Sequence, residues 1–157
     1  MNVIKTPRTP NIRHATPADA SAIRRLQERW AKEKITHGFR PATLAAIRKA
    51  LGDWCYVAEA NKRVIGFVAG TVQRSPGLAV VPKGTRYLEV ADLYVVPAQR
   101  SKGIGRQLVD ALLAQGRHRR IRYATLYSST KGTHRVMRFY ECAGFESWYV
   151  QMYQKLD

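Results

Sequence analysis

The sequence predicts an α/β or α+β fold, a single domain built around one mixed sheet. Three observations carry that prediction. Strand-length apolar runs interleave with segments of helical period in the order β-α-α-β-β-β-α-β-α-β, which is the pattern of a layered mixed fold. The chain has 157 residues, of which 45% are hydrophobic, enough for one domain with a real core. The stretch "WCYVAEANKRVIGFVAGTV" reads as two β-rich runs around a turn at Ala60 to Lys62, which supplies a hairpin.

The elements follow in chain order. Residues 1 to 10 carry two prolines and no periodic pattern, and are expected to form a mobile tail; residues 11 to 157 make the domain. "NIRHA" is a short strand. A helix follows, with Thr16 as N-cap, Pro17 at the first helical position and Asp19 in the first turn. Ile23, Leu26 and Trp30, then Lys34 and Ile35, give it one face, and Gly38 is expected to end it. "PATLAAIRKAL" is a second helix, stopped by Gly52. After the hairpin, Gln73 to Arg86 reads as a long loop with Pro and Gly. Tyr87 to Val96 is a strong strand. "GIGRQLVDALLAQGRH" is a helix with Leu108, Leu112 and Leu113 on one side. "YATLYSS" is a strand, "THRVMRFYECAG" a helix, and "FESWYVQMYQKL" a final strand.

Composition limits the function classes. No apolar run approaches the roughly 18 residues of a membrane span, and the first residues lack the apolar centre of a secretory signal. Cys55 and Cys142 lie far apart with no CxxC pattern, so they read as ordinary thiols, and the expected compartment is the cytoplasm. The four histidines have no metal-ligand spacing, and no metal is expected. The 27 basic residues against 11 acidic give a formal charge of +16. Such a field favours anionic ligands and makes nucleic acid a partner worth weighing. The basic residues are scattered, however, which also describes a solvated surface.

The stretch "VVPAQRSKGIGRQLV" places two glycines and several basic residues between a strand and a helix. It fails the dinucleotide fingerprint, because the third glycine position is Leu108 and no acidic residue follows at the right distance. It fails the Walker pattern too. What remains is Arg100-x-x-Gly103-x-Gly105 opening a helix, where outward amides and the helix dipole favour an anion. Gly103 and Gly105 leave room for a pyrophosphate, and Arg100, Lys102 and Arg106 add charge at the rim.

"LYVVPAQRSKGIGRQLVDALL", followed by "THRVMRFYECAGF", resembles the GNAT family of N-acetyltransferases. "IRHATPADASAIRRL" and "VAEANKRVIGFVAG" fit the same family, so the resemblance covers roughly residues 11 to 155. It implies a mixed, mostly antiparallel central sheet flanked by about four helices, and acetyl-CoA as co-substrate. The turn Arg100, Ser101, Lys102, Gly103, Ile104, Gly105, Arg106 would hold the cofactor's pyrophosphate, with Thr133 offering a hydroxyl. The backbone of Leu93 would meet the acetyl carbonyl and that of Val95 the pantetheine arm. Tyr140 would protonate the sulfur. Three positions depart from the family pattern: Ser101 where glycine is frequent, Thr133 where asparagine is, and Cys142 where lysine is.

Acetyl transfer from a thioester to an amine needs a deprotonated amine, a donor for the developing oxyanion and an acid for the leaving thiolate. A phenol, with an ordinary pKa near 10, can be that acid. Glu89 is the favoured base, ahead of Asp92. Strict alternation puts Glu89 with Ala91, Leu93 and Val95 on one strand face, and Asp92 with Val90 and Tyr94 on the other. A water relay is the other option. The acceptor is expected to be a primary amine on a small molecule or protein, with an anionic or RNA-linked acceptor among the options and a homodimer left open. The reading from another class is a basic nucleic-acid-binding or regulatory module that keeps an acyl-CoA pocket without turnover.

Overall fold

The computed structural model describes residues 9–156, so all but the last two residues of the expected tail lie outside it. Five strands form one sheet in the order β1 (Asn11–His14), β2 (Cys55–Ala60), β3 (Arg63–Arg74), β4 (Arg86–Val95), β5 (Tyr123–Leu126). The first four run antiparallel; β5 is parallel to β4. The β2–β3 hairpin turns through Asn61 and Lys62, both left-handed, as a two-residue turn matching strand twist requires.

Helices α1 (Ala20–Glu33) and α2 (Leu44–Ala50) cover one face of the sheet. Ile23, Leu26 and Ile47 pack there against Val57, Phe67 and Tyr94. Helix α3 (Ile104–His118) covers the other face, setting Ile104, Leu108 and Leu112 on Ala58, Val68, Leu88 and Val90. Helix α4 (Thr133–Cys142) follows β5. Thr16 and Asp19 form a capping box around a single 3-10 turn, Pro17–Asp19, which leads directly into α1.

Several elements differ from the sequence expectation: α2 begins at Leu44 rather than Pro41, and β5 ends at Leu126 rather than Ser129. Helix α1 stops at Glu33, because Lys34 takes the left-handed conformation (φ 53°) four residues ahead of Gly38. Strand β3 runs to Arg74, which shortens the expected loop. Among the described residues the segment 145–156 forms no strand, and Trp148, Val150, Met152, Tyr153 and Leu156 stand exposed. An apolar pattern allows a strand, but only a ladder partner makes one. Among the described residues no helix is long and apolar enough to cross a membrane, and no cluster of His, Cys, Asp or Glu could hold a metal.

Candidate active site

Strands β4 and β5 pair only over Tyr87–Val90 and Tyr123–Leu126. Beyond Val90 they part, and the outer edge of β4 opens onto a cleft of about 1160 Å³. The amide of Val96 bonds inward to the Ile65 carbonyl at 2.9 Å. Antiparallel pairing alternates direction, so the backbone groups of Leu93 and Val95 point the other way, to the open edge. Both residues line the cleft.

The turn before α3 closes one end. Gly103 is its N-cap at φ 77°, a region costly to any residue with a Cβ, and no side chain caps the helix. The first intrahelical bond runs from the Gln107 amide to the Gly103 carbonyl at 3.0 Å. The amides of Ile104, Gly105 and Arg106 precede it, so they have no intrahelical acceptor, and the dipole of a 15-residue helix adds to them. That is the chemistry of an anion cradle.

The side chains expected at its rim are engaged elsewhere. Arg100 forms a bidentate pair with Glu33 and bonds the Val95 carbonyl at 2.8 Å. Lys102 folds back onto the Ala98 carbonyl and Gln99, each at 3.1 Å. Arg106 pairs with Asp110 at 2.9 Å and bonds the Cys142 carbonyl. Ile104 is buried in the core, so only its backbone faces the turn. Ser101 holds a left-handed φ of 62°, where the family pattern favours glycine. Gly105 faces inward: a Cβ there would meet the Phe139 ring at 3.5 Å. Thr133 is the first residue inside α4 rather than its cap; left-handed Gly132 (φ 78°) holds that position.

The other end of the cleft holds Asp92 and Tyr140. Tyr140 comes from α4, its ring edge-on to Phe139 and Phe145. Burial, and secondly the Asp92 charge, push its phenol up to about 12. Asp92 accepts from Gln27 Nε2 at 3.2 Å, and Gln27 Oε1 accepts the Ala42 amide at 2.9 Å. Burial raises the Asp92 carboxyl above its ordinary range, against the lowering effect of the Gln27 bond.

Glu89 lies outside the cleft. Its carboxylate accepts from Gln73 Nε2 at 3.1 Å, along the stretch where β5 is still paired to β4. The strict alternation expected of β4 fails at Ala91. Ala69 faces Asp92 and Gly70 faces Val90, so Ala91 is an extra, bulged residue. The bulge returns Asp92 to the face that carries Glu89 and Tyr94, above α1, and moves Val90 to the face of Leu93 and Val95. Sequence reading missed Gln27 altogether; the one available signal was a polar residue amid the apolar stripe of α1.

A family model described as the acetyltransferase (GNAT) family matches residues 20–145. No curated protein matches the chain. Several solved structures share its fold. One is an aminoglycoside N-acetyltransferase, AAC(6')-Iy, in complex with CoA (21% identity, TM-score 0.72, covering 96% of this chain and 98% of that one). Another is an aminoglycoside acetyltransferase from an uncultured soil metagenomic sample (16%, 0.71, 95% and 97%). A third is a ribosomal-protein-alanine N-acetyltransferase from Brucella melitensis biovar Abortus 2308 (18%, 0.68, 95% and 100%). At these identities the likeness concerns the fold. The splayed β4 edge, the uncapped start of α3 and the match over residues 20–145 agree, and the chain belongs to the acetyltransferase (GNAT) family.

Proposed function

We propose that this protein moves an acetyl group from acetyl-CoA to a primary amine on a small molecule or protein. The observation that carries the reading is the parting of β4 from β5. It opens the β4 edge between an anion cradle at one end and a carboxyl–phenol pair at the other. The diphosphate of coenzyme A fits the amides at the start of α3, because no side chain competes for them. The pantetheine arm then runs along Val95, and the thioester carbonyl reaches the outward backbone of Leu93, where an amide can stabilise the developing oxyanion.

Asp92 takes the proton from the incoming ammonium. Its raised carboxyl suits a base better than an ordinary carboxylate does. Tyr140, protonated at neutral pH, returns a proton to the departing sulfur. Glu89 is replaced in the base role because it stands outside the cleft. The acceptor enters past residues 35–40 and 127–131. Arg40 and Lys131 make that mouth cationic, which disfavours polycationic amines and favours an acceptor with an anionic part.

The test is acetyl-CoA with a panel of small amines, amino acids and peptides, read as thiol release. Thiol released with at least one amine, together with an acetylated product, supports the reading. Tight coenzyme A binding with no thiol release from any amine, alongside salt-sensitive RNA binding, overturns it in favour of a non-catalytic module.

A further inference from the structure

Each of the three guanidinium nitrogens of Arg100 has a partner within the protein. Nε bonds the Val95 carbonyl at 2.8 Å, and Nη1 and Nη2 reach the two Glu33 oxygens at 2.8 and 2.9 Å. The guanidinium carbon sits 5.3 Å from the Tyr94 ring centroid. Glu33 also accepts the Tyr94 hydroxyl at 2.6 Å. Burial raises the Glu33 carboxyl, but the bonds from Arg100 and Tyr94 outweigh it and hold it below the ordinary range. A bidentate, stacked arginine is the most directional of ion pairs, and lysine cannot copy it.

The pair joins two loops. Arg100 immediately precedes Ser101, whose left-handed backbone begins the cradle. Glu33 is the last residue of α1, and Lys34 turns the chain into residues 34–40. That loop is fastened on its far side: the Lys131 amide bonds the Ile35 carbonyl at 2.7 Å and the His37 amide bonds the Ser129 carbonyl at 2.9 Å. Trp30 supports it from beneath, bonding Thr36 Oγ1 at 2.9 Å and stacking on Phe39 at 4.0 Å and Tyr94 at 5.6 Å. One unbroken set of contacts therefore runs from the diphosphate turn to the acceptor mouth.

We propose that Glu33 is a positioning residue: through Arg100 it ties the acceptor loop, residues 34–40, to the diphosphate turn, so that coenzyme A binding orders the acceptor side. This rests on the acetyl-CoA reading above. Once the turn is fixed by the diphosphate, Arg100 is fixed with it, and so are Glu33 and the start of the loop. The ordering cost is met by the first ligand, and by linkage an acceptor would tighten coenzyme A by the same factor.

The test uses the full chain with coenzyme A as the probe, by calorimetry and amide hydrogen exchange. In the unmodified protein, coenzyme A slows exchange in residues 100–106 and in 34–40. In Glu33→Gln, Arg100 no longer pre-organises the diphosphate turn, and coenzyme A affinity falls about fivefold or more. At saturation residues 100–106 are still slowed, but 34–40 are not. Arg100→Lys, which keeps the charge and loses the fork, behaves alike and stands in if Glu33→Gln does not fold. The double variant Glu33→Gln/Arg100→Lys loses no more affinity than the worse single. Equal slowing of 34–40 in Glu33→Gln and the unmodified protein overturns the proposal, as do fully multiplicative losses in the double variant. Failure of the unmodified protein to bind coenzyme A is a separate result, and it removes the acetyl-CoA reading along with this one.

Discussion

Gly66→Ala tests the packing that shapes the β4 edge. Gly66 sits in β3 opposite Val95. A Cβ there would lie 2.9 Å from the Tyr94 carbonyl oxygen, 3.1 Å from Val95 Cγ2 and 3.4 Å from Leu108 Cδ1. Ordinary contact begins near 3.4 Å, so β3 and β4 must part by about 0.5 Å at this point. The oxygen belongs to backbone and cannot rotate away, and fully buried Leu108 closes the other side. Overpacking of this kind costs about 1–3 kcal/mol. At about 2 kcal/mol a chain of this size melts roughly 4–8 °C lower. The displaced backbone is the stretch the pantetheine arm would run along, so coenzyme A affinity falls too. Gly52→Ala is the control, because nothing lies within 4 Å of a Cβ there. The assays are thermal melts and coenzyme A titration on both variants. A Gly66→Ala protein that melts with Gly52→Ala and binds coenzyme A equally well would refute the reasoning.

The remaining predictions concern charge and chemistry. Tyr140→Phe should lower turnover about 10²- to 10⁴-fold with coenzyme A affinity little changed, since only the acid is removed; matching rates by thiol release would return Tyr140 to a packing role. Gly103→Glu should abolish coenzyme A binding by calorimetry, because it adds a negative charge to the cradle and strains a φ of 77°. Asp19 is held down to about 2 from 3.8, first by the Arg13 hydrogen bonds and then by Thr16, against burial. Its folded value is the lower one, so its contribution, about 2 kcal/mol, is complete above pH 3.8 and lost as pH falls toward 2. Denaturant unfolding across that window should show a slope that Asp19→Asn flattens; an unchanged slope would mean the Arg13 bonds do not hold the Asp19 carboxyl down.

The residues alone made much of this molecule legible. Period, caps and turn chemistry are local, so the β2–β3 hairpin, the four helices and the N-cap at Thr16 could be read directly. The glycine turn that opens α3 was legible for the same reason: a strand, two glycines and a helix start are contiguous in sequence. Other features depend on what chain folding brings near. The bulge at Ala91 arises from pairing with β3, and it moved Asp92 to the face of Glu89. Arg100 has the composition of a phosphate ligand, yet Glu33, 67 residues earlier, holds its guanidinium. The segment 145–156 has the residues of a strand yet forms none among the described residues. Local sequence thus specified elements and candidate groups. Which carboxylate shares the cleft with Tyr140, and which partners hold Arg100, depends on contacts between residues far apart in the chain.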